Sequence, residues 1–203
     1  MELLQETVIK VLLDGGWLMI PLALLGAFIY ASILEIILYL NKYSGKIVDS
    51  DRWGHWIERP DEATGSIGAM VQYVQEDTTD SPTVRRRVSE LMQIHMPPID
   101  SRIKFSTILV STAPLTGLLG TVTGMLSTFS GLAVSSGGST VDLVAGGISE
   151  ALITTQTGLV LAIPGYVLIH LAKRKRGELE VFFNQLEILT IQHFEKINFR
   201  KAS

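Results

Sequence analysis

Three apolar runs, Trp17–Leu40, Phe105–Val134 and Val141–Ala172, constrain this chain more than anything else in it. Each meets the length of about 20 residues that a helix needs to cross the hydrocarbon of a bilayer. In hydrocarbon the backbone must satisfy its own hydrogen bonds, so a run of this kind folds as a helix. The expected fold class is therefore an all-α integral membrane protein with three transmembrane helices. Charged residues make up 18% of the 203 positions, which requires a substantial aqueous part beside the spans. The start, MELLQETVIKVLLDGG, carries acidic residues where a cleaved signal would be basic. Trp17–Leu40 is accordingly expected as a retained span.

Basic residues set the expected topology. Only Lys10 precedes the first span, and none lies in the link 135–140. Between the first two spans stand Lys42, Lys46, Arg52, Arg59, Arg85, Arg86, Arg87, Arg102 and Lys104. The tail holds Lys173, Arg174, Lys175, Arg176, Lys196, Arg200 and Lys201. The positive-inside rule places the amino terminus outside and the carboxyl terminus in the cytoplasm. The expected organisation is a short outer segment 1–16, a first span 17–40 and a helical cytoplasmic loop 41–104. A second span 105–134, an outer loop 135–142, a third span 143–172 and a cytoplasmic helix 173–203 follow. The cluster Lys173–Arg176 is expected to anchor the topology against anionic lipid.

Helical spacing recurs outside the spans, at Ile67, Met70, Val71 and Val74, and again at Val84, Val88, Leu91 and, less regularly, Ile94. In the tail, Phe182, Leu186, Leu189, His193 and Ile197 form one stripe. These helices are expected to continue the spans into a cytoplasmic helical bundle. Pro97–Pro98 are expected to break the helix leading into the second span.

Within the third span, Glu150 is followed by Thr154, Thr155, Gln156 and Thr157. Inserting a carboxylate at depth costs about 2.5–3.5 kcal/mol, so such a group normally faces a bundle interior or a wet pathway. Ion handling is one reading of Glu150, and a static hydrogen-bonded carboxylate near the outer surface is the other. The threonines read equally as interhelical hydrogen-bonding groups. Gly117, Gly120, Gly124, Thr128 and Gly131 form a small-residue seam along the second span, and Gly147, Ala151, Gly158, Ala162 and Gly165 another along the third. Thr112, Thr116, Thr121, Thr123 and Ser127 add hydroxyls, some of which can bond back to their own turn. Their number suggests a polar lumen shared by the two spans. Pro114 and Pro164 each remove a helical hydrogen bond, which neighbouring helices can compensate. Glu35, near the inner end of the first span, is expected to snorkel or to pair with a basic residue.

Other chemistry finds no support. The run GLLGTVTG lacks the Gly-Lys-Ser/Thr ending of a phosphate loop. Four scattered histidines and no cysteine offer no metal-ligand spacing, and the redox compartment is not legible. No nucleophile stands beside a base. Neither an enzyme, a cofactor, a metal nor a nucleic-acid partner is expected.

The segments APLTGLLGTVTGM, 113–125, and GISEALITTQTGLVLAIPG, 147–165, resemble the MotA/TolQ/ExbB proton-channel family on its ExbB/TolQ side. The order of span, cytoplasmic loop, two spans and cytoplasmic tail extends the resemblance, while residues 1–16 and 41–100 match only in character. The resemblance implies a bacterial inner-membrane motor subunit. Five chains would ring two single-span ExbD/TolR-like partners, with a TonB-like protein as a further partner and lipid around them. Proton flow would drive work on the cell envelope, for example TonB-dependent transport. Thr121, Glu150 and Thr155 match family positions expected to line the proton path, with Thr154 beside them. Gly117, Gly120, Gly124, Gly147, Gly158 and Pro114 are expected to serve helix packing. The fourth span of a flagellar MotA is missing from the pattern, and the amino terminus is short for some ExbB proteins. A TolQ-like or gliding-type motor with another load, and a non-conducting membrane scaffold, are the alternatives.

Overall fold

A computed structural model describes residues 15–47, 50–76, 80–134 and 140–202. Most of the expected segments 1–16 and 135–142, with Lys10, lies outside them, and Lys42, Lys46, Arg52, Arg200 and Lys201 lie outside the described side chains. The described residues form helices α1 Met19–Ile47, α2 Ser50–Glu58, α3 Gly65–Gln75, α4 Ser81–Val134 and α5 Thr140–Ala202, with a 3₁₀ turn at Pro60–Glu62. Among them there is no strand. Three of these helices carry stretches long and apolar enough to cross a membrane: Met19–Asn41 in α1, Ser81–Ala133 in α4 and Val144–Phe199 in α5.

At 54 and 63 residues, α4 and α5 run far past their apolar parts. Continuity through Pro97 and Pro98 corrects the expectation of a break there. These prolines deprive the Gln93 and Ile94 carbonyls of their helical donors. Gln93, Ile94, Pro97 and Pro98 are all exposed, so water can take the place of those donors.

The chain divides into two compact units. The first comprises residues 1–33 and 104–169 and holds the apolar parts of α1, α4 and α5. Its interior is built from Leu22, Ile29 and Ile33 of α1, Val110 and Ala113 of α4, and Ala151 and Ala162 of α5. Phe28 and Phe105 meet edge to face with centroids 6.3 Å apart, the geometry that ring quadrupoles favour. Outward-facing Leu24, Leu115, Leu126, Leu152 and Ile163 remain exposed, as suits helices that meet lipid or other helices.

The second unit comprises 34–103 and 170–203. Its core joins Ile67, Met70, Val71 and Val74 of α3 to Val84, Val88, Leu91 and Ile99 of α4 and to Leu179, Phe182, Phe183 and Leu186 of α5. The helical spacing read in the sequence thus marks the buried faces, with two exceptions. Ile94 is 62% exposed, and the tail stripe opens to solvent at Leu189. The α4 stripe passes instead through His95, which stacks on Phe183 with ring centroids 6.3 Å apart. Burial there pushes the His95 imidazole below its ordinary range. Gln72 donates to the carbonyls of Pro60 and Ala63, and Gln75 to that of Ile57, tying α3 to the preceding turn.

The basic residues of this unit are largely engaged within it. Glu35 accepts from Arg102, the pairing that the sequence anticipated. Arg176 grips both carboxylate oxygens of Asp100, at 2.8 and 3.1 Å, and also meets Glu180. The Asp100 hydrogen bond leads in raising the Arg176 pKa. Lys175 donates to Asn41, and Arg174 lies 3.6 Å from Glu178. Of the cluster read as a lipid anchor, Arg176 is therefore committed inside the unit, while Lys173 and Arg174 are exposed.

Candidate functional site

Glycine lets α4 and α5 of the first unit approach to backbone contact. A Cβ at Gly117 would lie 2.9 Å from the Thr154 carbonyl oxygen, and one at Gly158 would lie 2.7 Å from that of Ala113 and 3.3 Å from Pro114 Cα. Gly120 faces the Thr154 side chain, Gly124 faces Ala151 and Gly147, and Gly147 faces Thr128. The contacts run antiparallel along both helices. A close-packed seam of this kind gains dispersion contact where no hydrophobic force acts between helices. It also leaves no lumen between α4 and α5 of one chain, which corrects the expectation of a polar channel shared by these two spans.

The hydroxyls sort accordingly. Those of Thr112, Thr116, Thr121, Thr123 and Thr128 donate to carbonyls three or four residues back in α4, at 2.6–3.1 Å. Thr157 does the same in α5. Thr155 instead crosses the seam, donating to the Gly117 carbonyl at 3.0 Å. Thr154 is 2% exposed; it donates to Ala151 at 2.8 Å and reaches the Gly117 carbonyl at 3.5 Å. The interhelical role that the sequence allowed for these two threonines is thus present. Thr121 flanks an apolar furrow with Val122, Met125, Leu126 and Phe129.

Glu150 occupies another side of α5. It is half-buried, and the neighbour at its carboxylate is Gly16, in the turn that leads into α1. Gly15 lies beside Ile153, Gly26 beside Leu161, and Tyr30 donates to the Leu161 carbonyl at 3.0 Å. The face Glu150, Ile153 and Leu161 therefore belongs to α1, while Gly147, Ala151, Thr154 and Gly158 belong to α4. At 3.6 residues per turn, Thr155 stands about 140° around the helix from Glu150. The structure brings Thr154 and Thr155 together over Gly117 and sets Glu150 apart from Thr155, with Thr154 one turn from the acid. Gly15, Gly16 and Tyr30 were not anticipated from the sequence. A glycine pair directly before the first apolar run was the available signal. Among the described residues no cluster of three potential metal ligands occurs.

The sequence profile of the MotA/TolQ/ExbB proton channel family matches residues 62–185, from the 3₁₀ turn to the second unit's part of α5. The chain is 33% identical over 102 residues, half of its length, to the biopolymer transport protein ExbB of Xanthomonas campestris, of which 38% is covered. It is 40% identical over 85 residues to an ExbB-like biopolymer transport protein of Helicobacter pylori, covering 41% of this chain and 44% of that one. With the biopolymer transport protein exbB1 of Vibrio cholerae it shares 36% identity over 93 residues, covering 44% of this chain and 41% of the other. The chain thus spans about two fifths of the length of these relatives. The profile covers more than half of the chain, including the small-residue seam, Glu150 and the threonine pair, and the chain belongs to the MotA/TolQ/ExbB proton channel family.

Proposed function

We propose that this chain is the proton-channel subunit of an ExbB/TolQ-type motor in a bacterial inner membrane. Copies of it form a ring, with five as the expected number, around two single-span ExbD/TolR-like helices. Proton motive force is thereby converted into work on the envelope. One observation carries the reading: a carboxylate, Glu150, held half-buried on a helix apolar enough to span the membrane. A charge kept there normally marks an ion pathway. Glu150 and Thr155 flank different sides of α5, and Thr154, on the turn between them, is buried against α4. A partner helix that bridges the two sides fits this arrangement. The driving energy is adequate, about 2.3 kcal/mol per charge per 100 mV.

The test is proton uptake by vesicles containing the chain co-purified with a single-span partner encoded in the same genome. Glu150→Gln, and Thr121→Val combined with Thr155→Val, should each leave the ring assembled in native mass spectrometry. Each should lower flux by about tenfold or more, a barrier change of about 1.4 kcal/mol. The scaffold reading gains support from the interhelical bonds of Thr154 and Thr155 and predicts the opposite. Unchanged envelope output with assembled variants would select it and refute the motor.

A further inference from the structure

We propose that Gly16 is a positioning residue for Glu150: a bare backbone turn at the entrance to α1 on which the Glu150 carboxylate rests. This inference rests on the reading of Glu150 as the conducting carboxylate, and it adds a part of the chain that lies outside the family match, which begins at residue 62. Gly16 has φ +69°, in the left-handed region that glycine enters without steric cost. A Cβ built on it would sit 1.7 Å from Glu150 Oε1, 2.6 Å from Cδ and 3.2 Å from Cγ. No side chain fits between them. Gly15, its neighbour, is buried, and a Cβ there would lie 3.1 Å from Ile153 Cγ2. The glycine pair therefore lies across one turn of α5, from Glu150 to Ile153.

One adjoining side of Glu150 is already taken: Gly147 and Ala151 hold that face of α5 against Thr128 and Gly124. The other side, at Gly146, is open. A methyl group at position 16 would push the carboxylate off its seat toward that open side. Gly16 thus does two things: its φ lets the chain turn into α1, and its missing side chain leaves room for the acid. Gly16→Ala offends both requirements, whereas Gly16→Asn offends chiefly the second, because asparagine tolerates the left-handed region.

The experiment uses the full-length chain in lipid vesicles and reads residue 150 through its rate of modification by dicyclohexylcarbodiimide, followed by peptide mass spectrometry. Gly16→Ala and Gly16→Asn should each change the labelling rate at Glu150 by about threefold or more, the low end of coupling between touching residues. Gly146→Ala, whose Cβ enters open space, should not change it. In the Glu150→Asp background the carboxyl is one methylene shorter, and Gly16→Asn should change labelling at position 150 by less than about twofold, within the scatter for uncoupled sites. Should Gly16→Asn fail to fold, Glu150→Ala in the same chain should restore folding, because asparagine keeps the left-handed turn and leaves the clash as the cause. Unchanged labelling in Gly16→Asn, an equal Gly16→Asn effect in both backgrounds, or no restoration of Gly16→Asn by Glu150→Ala would overturn the proposal. Labelling needs no flux. A conducting chain with unchanged labelling refutes only the role of Gly16, and a coupled pair in a non-conducting chain refutes only the channel.

Discussion

Gly158→Ala tests the seam between α4 and α5 where the two backbones come closest. The new methyl would lie 2.7 Å from the Ala113 carbonyl oxygen, about 0.7 Å inside an ordinary contact of 3.4 Å, and the obstacle is backbone that cannot rotate away. If the helices part by that amount, the Thr155–Gly117 hydrogen bond one turn away lengthens from 3.0 Å past the limit at which it counts. Overpacking of this kind costs about 1–3 kcal/mol. The interhelical bond adds about 0.6 and at most about 1.7 kcal/mol. Alanine returns about 1 kcal/mol of helix propensity. The net expectation is a loss of about 0.6–3.7 kcal/mol. Gly146→Ala serves as the reference, because it gains the same propensity and its Cβ meets nothing within 4 Å. Unfolding in mixed micelles titrated with dodecyl sulfate measures both variants. Stability of Gly158→Ala equal to or above that of Gly146→Ala would refute the close-packed seam.

Two further expectations concern other parts of the chain. Burial lowers the His95 pKa in the fold, so the unfolded chain binds its proton first as pH falls below the ordinary value of about 6.5. Stability contributed by neutral His95 is present above that pH and is lost as pH falls through the lowered value; His95→Gln should flatten this part of a stability-versus-pH curve, and an unaltered slope would exclude it as the source. Tyr30→Phe removes the donor to the Leu161 carbonyl, next to the Val160 carbonyl that Pro164 leaves without a helical N–H. A drop of about 1–6 °C in melting temperature is expected from a bond worth about 0.5–1.5 kcal/mol, and an unchanged melt would show the bond to be idle.

Much of this architecture was legible because length and periodicity are physical requirements rather than signatures. A run such as Trp17–Leu40 has few folds open to it in lipid, and Val84, Val88 and Leu91 repeat because one helix face is buried. The small residues of 113–125 and 147–165 read as contact positions, and they lie in backbone contact. What was not legible depends on partners distant in sequence. Nothing local says that Pro97 and Pro98 fall where water can reach the carbonyls they leave free, or that Ile94 faces out while His95 packs on Phe183. Glu150 announced itself by its cost in a membrane. Its neighbour Gly16 is 134 residues away in sequence and did not. The partners of the α4 hydroxyls were not legible either: those of Thr112, Thr116, Thr121, Thr123 and Thr128 bond to carbonyls of their own helix.

Backbone contact along Gly117, Gly124, Gly147 and Gly158 also limits how the molecule can move. Side chains that interdigitate can change rotamer and let two helices slip, but a carbonyl against a Cα has no second arrangement to adopt. A slide of one helix along the other would drive the Cβ-bearing residues that flank the glycines on the same face into that backbone. The α4–α5 hairpin of the first unit is therefore a stave, stiff against shear along its length. Any motion of the hairpin must therefore be taken up at its outer faces, where Leu115, Leu126, Leu152 and Ile163 are exposed.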